Sequence, residues 1–109
     1  MRHTLIEPES VHKDQRRTLT QLLTADIKQV NVYEVEPNVT LGNHYHKETI
    51  EYFYILDGEI ESNGKTMVAG DLFVYYPQTV HSLVSKTNTR FMTFLTKPYN
   101  PETPDLWKS

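Results

Sequence analysis

Turn signals divide most of this chain into short apolar segments, and their spacing is the feature that most restricts the fold. From Ile27 onward, turns rich in Gly, Asn, Pro and Asp recur about every 8–12 residues, and no helical period competes with them. About eight short strands in this pattern are typical of an all-β sandwich or barrel. The predicted strands cover residues 28–35, 39–46, 51–56, 59–62, 65–69, 72–76, 80–85 and 89–96.

The length of 109 residues predicts a single domain. We expect it to comprise an N-terminal arm over 1–24, a barrel over 25–97 and an extended, proline-rich tail over 98–109. Residues 16–23 could form a short helix or the first strand, and the local pattern leaves both open. Asn63-Gly64 predicts a type I′ hairpin, because this turn needs positive φ at both central positions.

Composition excludes several classes of function. The chain has no cysteine, which rules out disulfide scaffolds, thiolate metal sites and cysteine nucleophiles. A net charge of −3 argues against a nucleic-acid partner. The longest apolar run, 52–56, has the length of a strand and is far below the ~18 residues of a membrane span. The N-terminus lacks the apolar run of a signal peptide, so a cytoplasmic protein without a membrane partner is expected.

Three histidines and one carboxylate form the best candidate for a chemical site. On a strand, residues i and i+2 share a face, so His44 and His46 are expected to point the same way. Glu51 opens the next strand and can lie beside them, and His81 begins a strand after a loop broken by proline. This donor set suits one divalent ion such as Zn, Mn, Fe or Ni. The alternative is purely structural, with the histidines as satisfied core residues or a polar rim.

The same residues resemble the two motifs of the cupin superfamily. The first is His44-x-His46-x4-Glu51-x6-Gly58, and the second has Gly70 eleven residues before His81 with Pro77 between them. The resemblance spans 38–85 and departs from the family pattern at four positions: Asn38, Tyr76, Gln78 and Ser85. It implies a small antiparallel double-stranded β-helix, the jelly-roll barrel. It also implies a divalent metal inside the barrel mouth, with His44, His46, Glu51 and His81 as ligands.

A narrower likeness concerns function. Segments 29–32, 42–46 and 51–53 are similar to cupin domains of bacterial capsular-polysaccharide and nucleotide-sugar enzymes. This implies a metal-assisted sugar isomerase or epimerase acting on a small molecule, for which a carbohydrate is one candidate. A non-catalytic ligand-binding cupin module and an iron-dependent dioxygenase remain alternatives, so catalysis itself is left open. Tyr76, close to His81, is the best candidate among the tyrosines for a general acid or a stacking residue.

The strand 51–56 is apolar on both faces, which predicts that both are covered. We expect the inner faces of the barrel to carry Phe53, Ile55, Leu72 and Val74, or their alternates. Tyr52, Tyr54 and Leu56 then form a second apolar face, and such patches rarely stay in water on a monomer. A homodimer through this face is therefore predicted. The alternative is that residues 1–24 of the same chain cover it.

Overall fold

The computed structural model describes residues 3–79, 81–100, 102 and 107–108. These residues form an all-β fold, as predicted. No helix occurs in the described ranges, so none there could cross a membrane. The strands, in chain order, are β1 His3–Leu5, β2 Ser10–Lys13, β3 Thr18–Gln21, β4 Gln29–Val35, β5 Thr40–Tyr45, β6 Glu51–Asp57, β7 Glu59–Ser62, β8 Lys65–Val68, β9 Leu72–Tyr75, β10 His81–Ser85, β11 Thr89–Leu95 and β12 Trp107–Lys108.

Two five-stranded sheets form the jelly-roll barrel. The larger sheet has the order β1-β9-β6-β11-β4, and the smaller has the order β12-β5-β10-β7-β8. Every pairing in both sheets is antiparallel. Consecutive strands β5 and β6 lie in different sheets. The link 46–50 between them therefore crosses from one sheet to the other at one end of the barrel.

The core lies between the sheets, and strand alternation decides which residues reach it. On β6, Glu51, Phe53 and Ile55 are buried, whereas the residues between them are half-buried. On strand β9 the structure selects the alternates of Leu72 and Val74, because Phe73 and Tyr75 belong to the core cluster. All four residues of β9 are buried. Burial on both faces removes the polar alternation that would have shown which face points inward.

Several tight turns use left-handed backbone, and the hairpin at Asn63-Gly64 is one that the sequence predicted. Asn63 and Gly64 have φ values of 51° and 82°, as a type I′ hairpin requires. Asn38, at a position where the cupin motif has glycine, has a φ of 63°. Its backbone N–H donates to the carbonyl of Ser85 at 2.8 Å, so a hydrogen bond joins two positions that depart from the motif. Gln78, also a glycine in the motif, has a φ of 68° and keeps the turn.

The N-terminal region contains more regular structure than its polar composition suggested. Strand β1 extends the larger sheet by pairing with β9. Strands β2 and β3 form a separate two-stranded sheet, which decides the open question at 16–23 in favour of a strand. All residues of this hairpin except Ser10 are exposed, and its strands mainly contact each other. The Cα radius of gyration is 14.4 Å, above the ~13 Å expected for a compact chain of this length.

Candidate catalytic and metal site

A buried histidine–carboxylate pair lies where the chain crosses between the two sheets. His46 follows β5 and Glu51 begins β6, and each is only 7% exposed. Their side chains meet with His46 Nε2 3.1 Å from Glu51 Oε1. Polar groups removed from water need a partner, and here each side chain supplies one for the other. The pair is therefore a fixed polar centre at the end of a strand whose other inward residues are apolar.

Backbone hydrogen bonds hold both ends of the link that carries this pair. The N–H of Gln78 donates to the carbonyl of His46 at 2.6 Å. At the other end, the N–H of Ile50 donates to Thr96 Oγ1 at 3.0 Å, and the N–H of Thr96 donates to the carbonyl of Ile50 at 3.2 Å. The loop after β9 and the end of β11 thus fix the backbone on either side of the pair.

The other two expected ligands, His44 and His81, are placed by their backbone. They are directly opposite each other in the β5–β10 pairing, next to a register shift between His81 and Leu83. Their side chains lie outside the described part of the structure. Among the side chains it does describe, no three His, Cys, Asp or Glu residues gather into a group that could hold a metal ion. The ligand role of all four residues stays a prediction.

The geometry of the described pair fits a divalent ion. Bonds of about 2.1 Å from two donors at right angles around one ion place the donor atoms about 3 Å apart. The observed separation of 3.1 Å between His46 Nε2 and Glu51 Oε1 meets this condition. An imidazole nitrogen and a carboxylate oxygen are also suitable ligands for Zn, Mn and Fe. The same distance is that of a hydrogen bond, so the pair suits either role.

Deeper in the barrel, a second polar pair links the two sheets. The Tyr75 hydroxyl is hydrogen-bonded to Ser62 Oγ. Tyr75 is 1% exposed and Ser62 is 0% exposed. Burial raises the pKa of Tyr75 well above its usual value, and the negative charge of Glu51 raises this pKa further. The phenol therefore stays protonated close to the His46–Glu51 pair.

Sequence reasoning considered Tyr76 and missed its neighbour. Tyr76 lies just beyond the end of β9 and is 47% exposed. Burial raises the pKa of Tyr52, and the nearby Tyr76 hydroxyl raises it further. A catalytic role for Tyr76 stays a prediction. Tyr75 could have been found from its spacing, because it is two residues from Phe73 and so shares the face of a large apolar residue.

Comparisons with known proteins agree with this architecture. The cupin domain family matches residues 31–96, more than half of the chain. No curated protein matches the chain by sequence. Among solved structures, a 3,4-ketoisomerase from Helicobacter canadensis superimposes with a TM-score of 0.78 at 15% identity. That match covers 100% of this chain and 92% of the ketoisomerase.

Two further structures of enzymes share the fold. The sugar 3,4-ketoisomerase QdtA from Thermoanaerobacterium thermosaccharolyticum, in complex with TDP, has a TM-score of 0.75 at 17% identity, covering 98% of this chain and 88% of QdtA. The RmlC epimerase of Mycobacterium tuberculosis has a TM-score of 0.73 at 17% identity. This match covers 92% of the present chain but only 66% of the epimerase. The family match and the jelly-roll architecture together show that the chain belongs to the cupin family.

Proposed function

We propose that this cupin is a nucleotide-sugar isomerase or epimerase that moves a proton beside a sugar carbonyl at the His46–Glu51 pair. The observation that carries the proposal is the buried contact of 3.1 Å between His46 Nε2 and Glu51 Oε1. The ketoisomerase and epimerase folds of the structural neighbours support this class of reaction. The presence of TDP in one of them supports a nucleotide sugar as the ligand.

The proton chemistry follows from the pair itself. An ionised carboxylate only accepts hydrogen bonds, so Glu51 Oε1 accepts from Nε2–H of His46. The basic nitrogen of the neutral imidazole is then Nδ1. This atom takes a proton from the carbon next to the keto group, and the electron pair of the broken C–H bond passes into an enolate. Glu51 stabilises the imidazolium that forms, and return of a proton to the enolate completes the reaction. A positioned general base of this kind contributes roughly 10²–10⁴-fold to the rate.

As an alternative to the base, we propose that His44, His46, Glu51 and His81 hold one divalent metal ion, such as Zn, Mn, Fe or Ni. The fit of the described His46–Glu51 pair to two metal bonds supports it. When bound, such an ion would supply a Lewis acid that polarises the keto oxygen of the sugar. In that case His46 and Glu51 would hold the ion, and a different group must accept the proton.

Solvent deuterium exchange tests the proposal. The probe is TDP-4-keto-6-deoxyglucose, which is bound in another structure of QdtA. The purified protein, with and without added metal, should incorporate deuterium next to the keto group in D₂O, detected by mass spectrometry. His46→Asn should slow incorporation roughly 10²-fold or more. His12→Asn, which alters an exposed histidine of the hairpin, should leave the rate unchanged.

The outcome separates the candidate functions. Incorporation that needs no added metal and is lost in His46→Asn supports the imidazole as the base. Incorporation only with metal supports the metal-assisted reaction. Binding of TDP without any incorporation would contradict the enzyme proposal and leave the ligand-binding module.

A homodimer is the second part of the proposal. Tyr52 and Tyr54 are half-buried on the outer side of the larger sheet, and Val30 and Val32 near them are 51% and 55% exposed. The β2–β3 hairpin adds Val11, which is 58% exposed. An isolated two-stranded hairpin is only marginally stable in water, so a partner surface would stabilise it. These features support self-association through the outer face.

Light scattering at micromolar concentration tests the dimer. The expected mass is about twice the 12.8 kDa of one chain. Tyr54→Glu should shift the mass towards that of one chain, because it places a charge on the apolar face. Thr66→Glu, at an exposed position of the smaller sheet, is the matched control and should leave the dimer intact. A single-chain mass for the unaltered protein would refute the dimer.

We also propose a reducing, cytoplasmic location, which the absence of cysteine supports.

A further inference from the structure

The C-terminal strand pairs with the strand that leads into His46. Strand β12 pairs with the end of β5, with Trp107 opposite Tyr45. His46 is the next residue along the chain. A segment from the far end of the sequence therefore covers the edge of the smaller sheet at the point where the link 46–50 begins.

A side-chain contact joins this strand to the link. Lys47 Nζ lies 4.0 Å from the centroid of the Trp107 ring, well within the range of a cation–π interaction. Lys47 directly follows His46, so the contact acts on the backbone one residue from the imidazole. Trp107 is 43% exposed, and its ring therefore lies on the surface of the barrel.

Other contacts described for the link act at its Glu51 end and at Glu48. The Thr96–Ile50 hydrogen bonds fix the end next to Glu51. Lys97 Nζ and Glu48 Oε1 are 2.6 Å apart, but both side chains are largely exposed, and exposed ion pairs contribute little to stability. At the His46 end, the Gln78 N–H contacts the His46 carbonyl and the Trp107 ring contacts Lys47.

We propose that Trp107 is a positioning residue that holds residues 46–50 so that His46 keeps its contact with Glu51. The ring of Trp107 restrains Lys47, and this in turn restrains the His46 backbone. The catalytic consequence rests on the proposed function, whereas the structural consequence does not. The C-terminal strand then has a role at the site, although no residue of that strand belongs to the cupin motifs.

Amide hydrogen exchange measured by NMR tests the positioning without any ligand. Trp107→Leu should raise the exchange rate of the Gln78 amide, which donates to His46, by roughly two- to fivefold, the range expected for loss of a partly exposed cation–π contact. Lys47→Met should have the same effect, and the double variant should add little to either. Exchange at Phe91, in the core of β11, should not change.

Two further variants separate positioning from general loss of packing. Trp107→Phe keeps an aromatic face and should restore most of the protection at Gln78. Tyr99→Leu removes another exposed aromatic residue from the same C-terminal segment and should leave Gln78 unaffected. In the deuterium-incorporation assay, Trp107→Leu should lower kcat at least twofold with KM nearly unchanged, because it displaces the base more than the ligand contacts.

The outcomes decide the inference independently of the enzyme proposal. Faster Gln78 exchange in Trp107→Leu, rescue by Trp107→Phe and non-additivity with Lys47→Met support it, even if the sugar is not a substrate. An unchanged Gln78 exchange rate in Trp107→Leu would overturn it, even if the sugar is turned over. Equal effects at Gln78 and Phe91 would also overturn it, because they would show global destabilisation.

Discussion

Gly58, at the far end of β6 from Glu51, gives a sharp test of how the barrel is packed. Its φ is +90°, a backbone conformation that residues with a side chain rarely adopt. A Cβ at this position would lie 2.3 Å from the backbone oxygen of Asn88 and 2.9 Å from Cα of Thr89. Both are backbone atoms, so neither can turn away as a flexible side chain could. Gly58→Ala therefore combines backbone strain with a steric clash.

The magnitude follows from adding these two effects. Left-handed backbone costs a non-glycine residue roughly 1–2 kcal/mol. Overpacking of a well-packed site costs roughly 1–3 kcal/mol more. Thr89 is 1% exposed, and its hydroxyl donates to the carbonyl of Thr87 at 2.8 Å, so it has little freedom to move away. The free energy of unfolding should fall by about 2–5 kcal/mol in Gly58→Ala.

Two other glycines provide matched controls. Gly64 and Gly70 have φ values of +82° and +92°, but a Cβ at either would meet no atom within 4 Å. Their alanine variants should therefore lose only the backbone part, about 1–2 kcal/mol. Urea unfolding followed by circular dichroism measures all three. If Gly58→Ala and Gly70→Ala lost the same free energy, the close approach of Asn88 and Thr89 would carry no cost and the reasoning would be refuted.

Three further predictions concern the interior and the turns. The pKa of Tyr75 is raised in the folded protein, so the stabilising effect of the protonated phenol is complete below the unfolded pKa of ~10 and is lost as pH rises towards the folded pKa. Above about pH 10, the melting temperature of Tyr75→Phe should therefore fall less steeply than that of the unaltered chain, as measured by differential scanning fluorimetry. His46→Ala should lose most of any bound metal by elemental analysis, whereas His12→Ala should keep it; equal metal content would argue against His46 as a ligand. Gln78→Gly should raise the free energy of unfolding by up to about 1 kcal/mol, because glycine adopts the φ of 68° without strain.

The sequence predicted the barrel strands well because their signals are local. Each of the strands β4 to β11 begins and ends close to its predicted limits, and the turn at Asn63-Gly64 has the predicted backbone. Such turns depend on φ preferences that a dipeptide already carries. The likeness to the cupin motifs then supplied the arrangement of the strands, which local patterns do not contain.

The N-terminal strands could not be predicted from local signals. Strand β1 is only three residues long and is a strand because it pairs with β9, about seventy residues later in the chain. Propensity is a weak guide for such a short segment, since the partner decides its conformation. The contact between Ser62 and Tyr75 was missed for a related reason. It depends on β7 and β9 facing each other across the barrel, which neither strand reveals alone.

The sequence predicted that two residues of the candidate site lie together. The spacing of His46 and Glu51 placed them together, and the structure shows them 3.1 Å apart. The sequence assigns the motif histidines to metal and therefore offers no clear histidine–carboxylate base. The hydrogen bond makes that role available, because the carboxylate fixes the tautomer of the ring. Sequence spacing does not distinguish a general base from a metal site, because both roles use the same two side chains.

The cost of burying this pair gives a last test of whether it exists for function. Replacing a buried polar pair by apolar residues of similar volume is often neutral or stabilising by about 1–4 kcal/mol, whereas removing one partner alone costs about 3–5 kcal/mol. The neighbouring inward residues of β6, Phe53 and Ile55, offer an apolar environment for such a replacement. The double variant His46→Leu with Glu51→Met should therefore be at least as stable as the unaltered chain in urea unfolding. Glu51→Met alone should have a clearly lower free energy of unfolding. Deuterium incorporation and metal binding should both be lost in the double variant. A double variant that lost several kcal/mol would show that the pair stabilises the barrel, and its burial would then no longer argue for a chemical role.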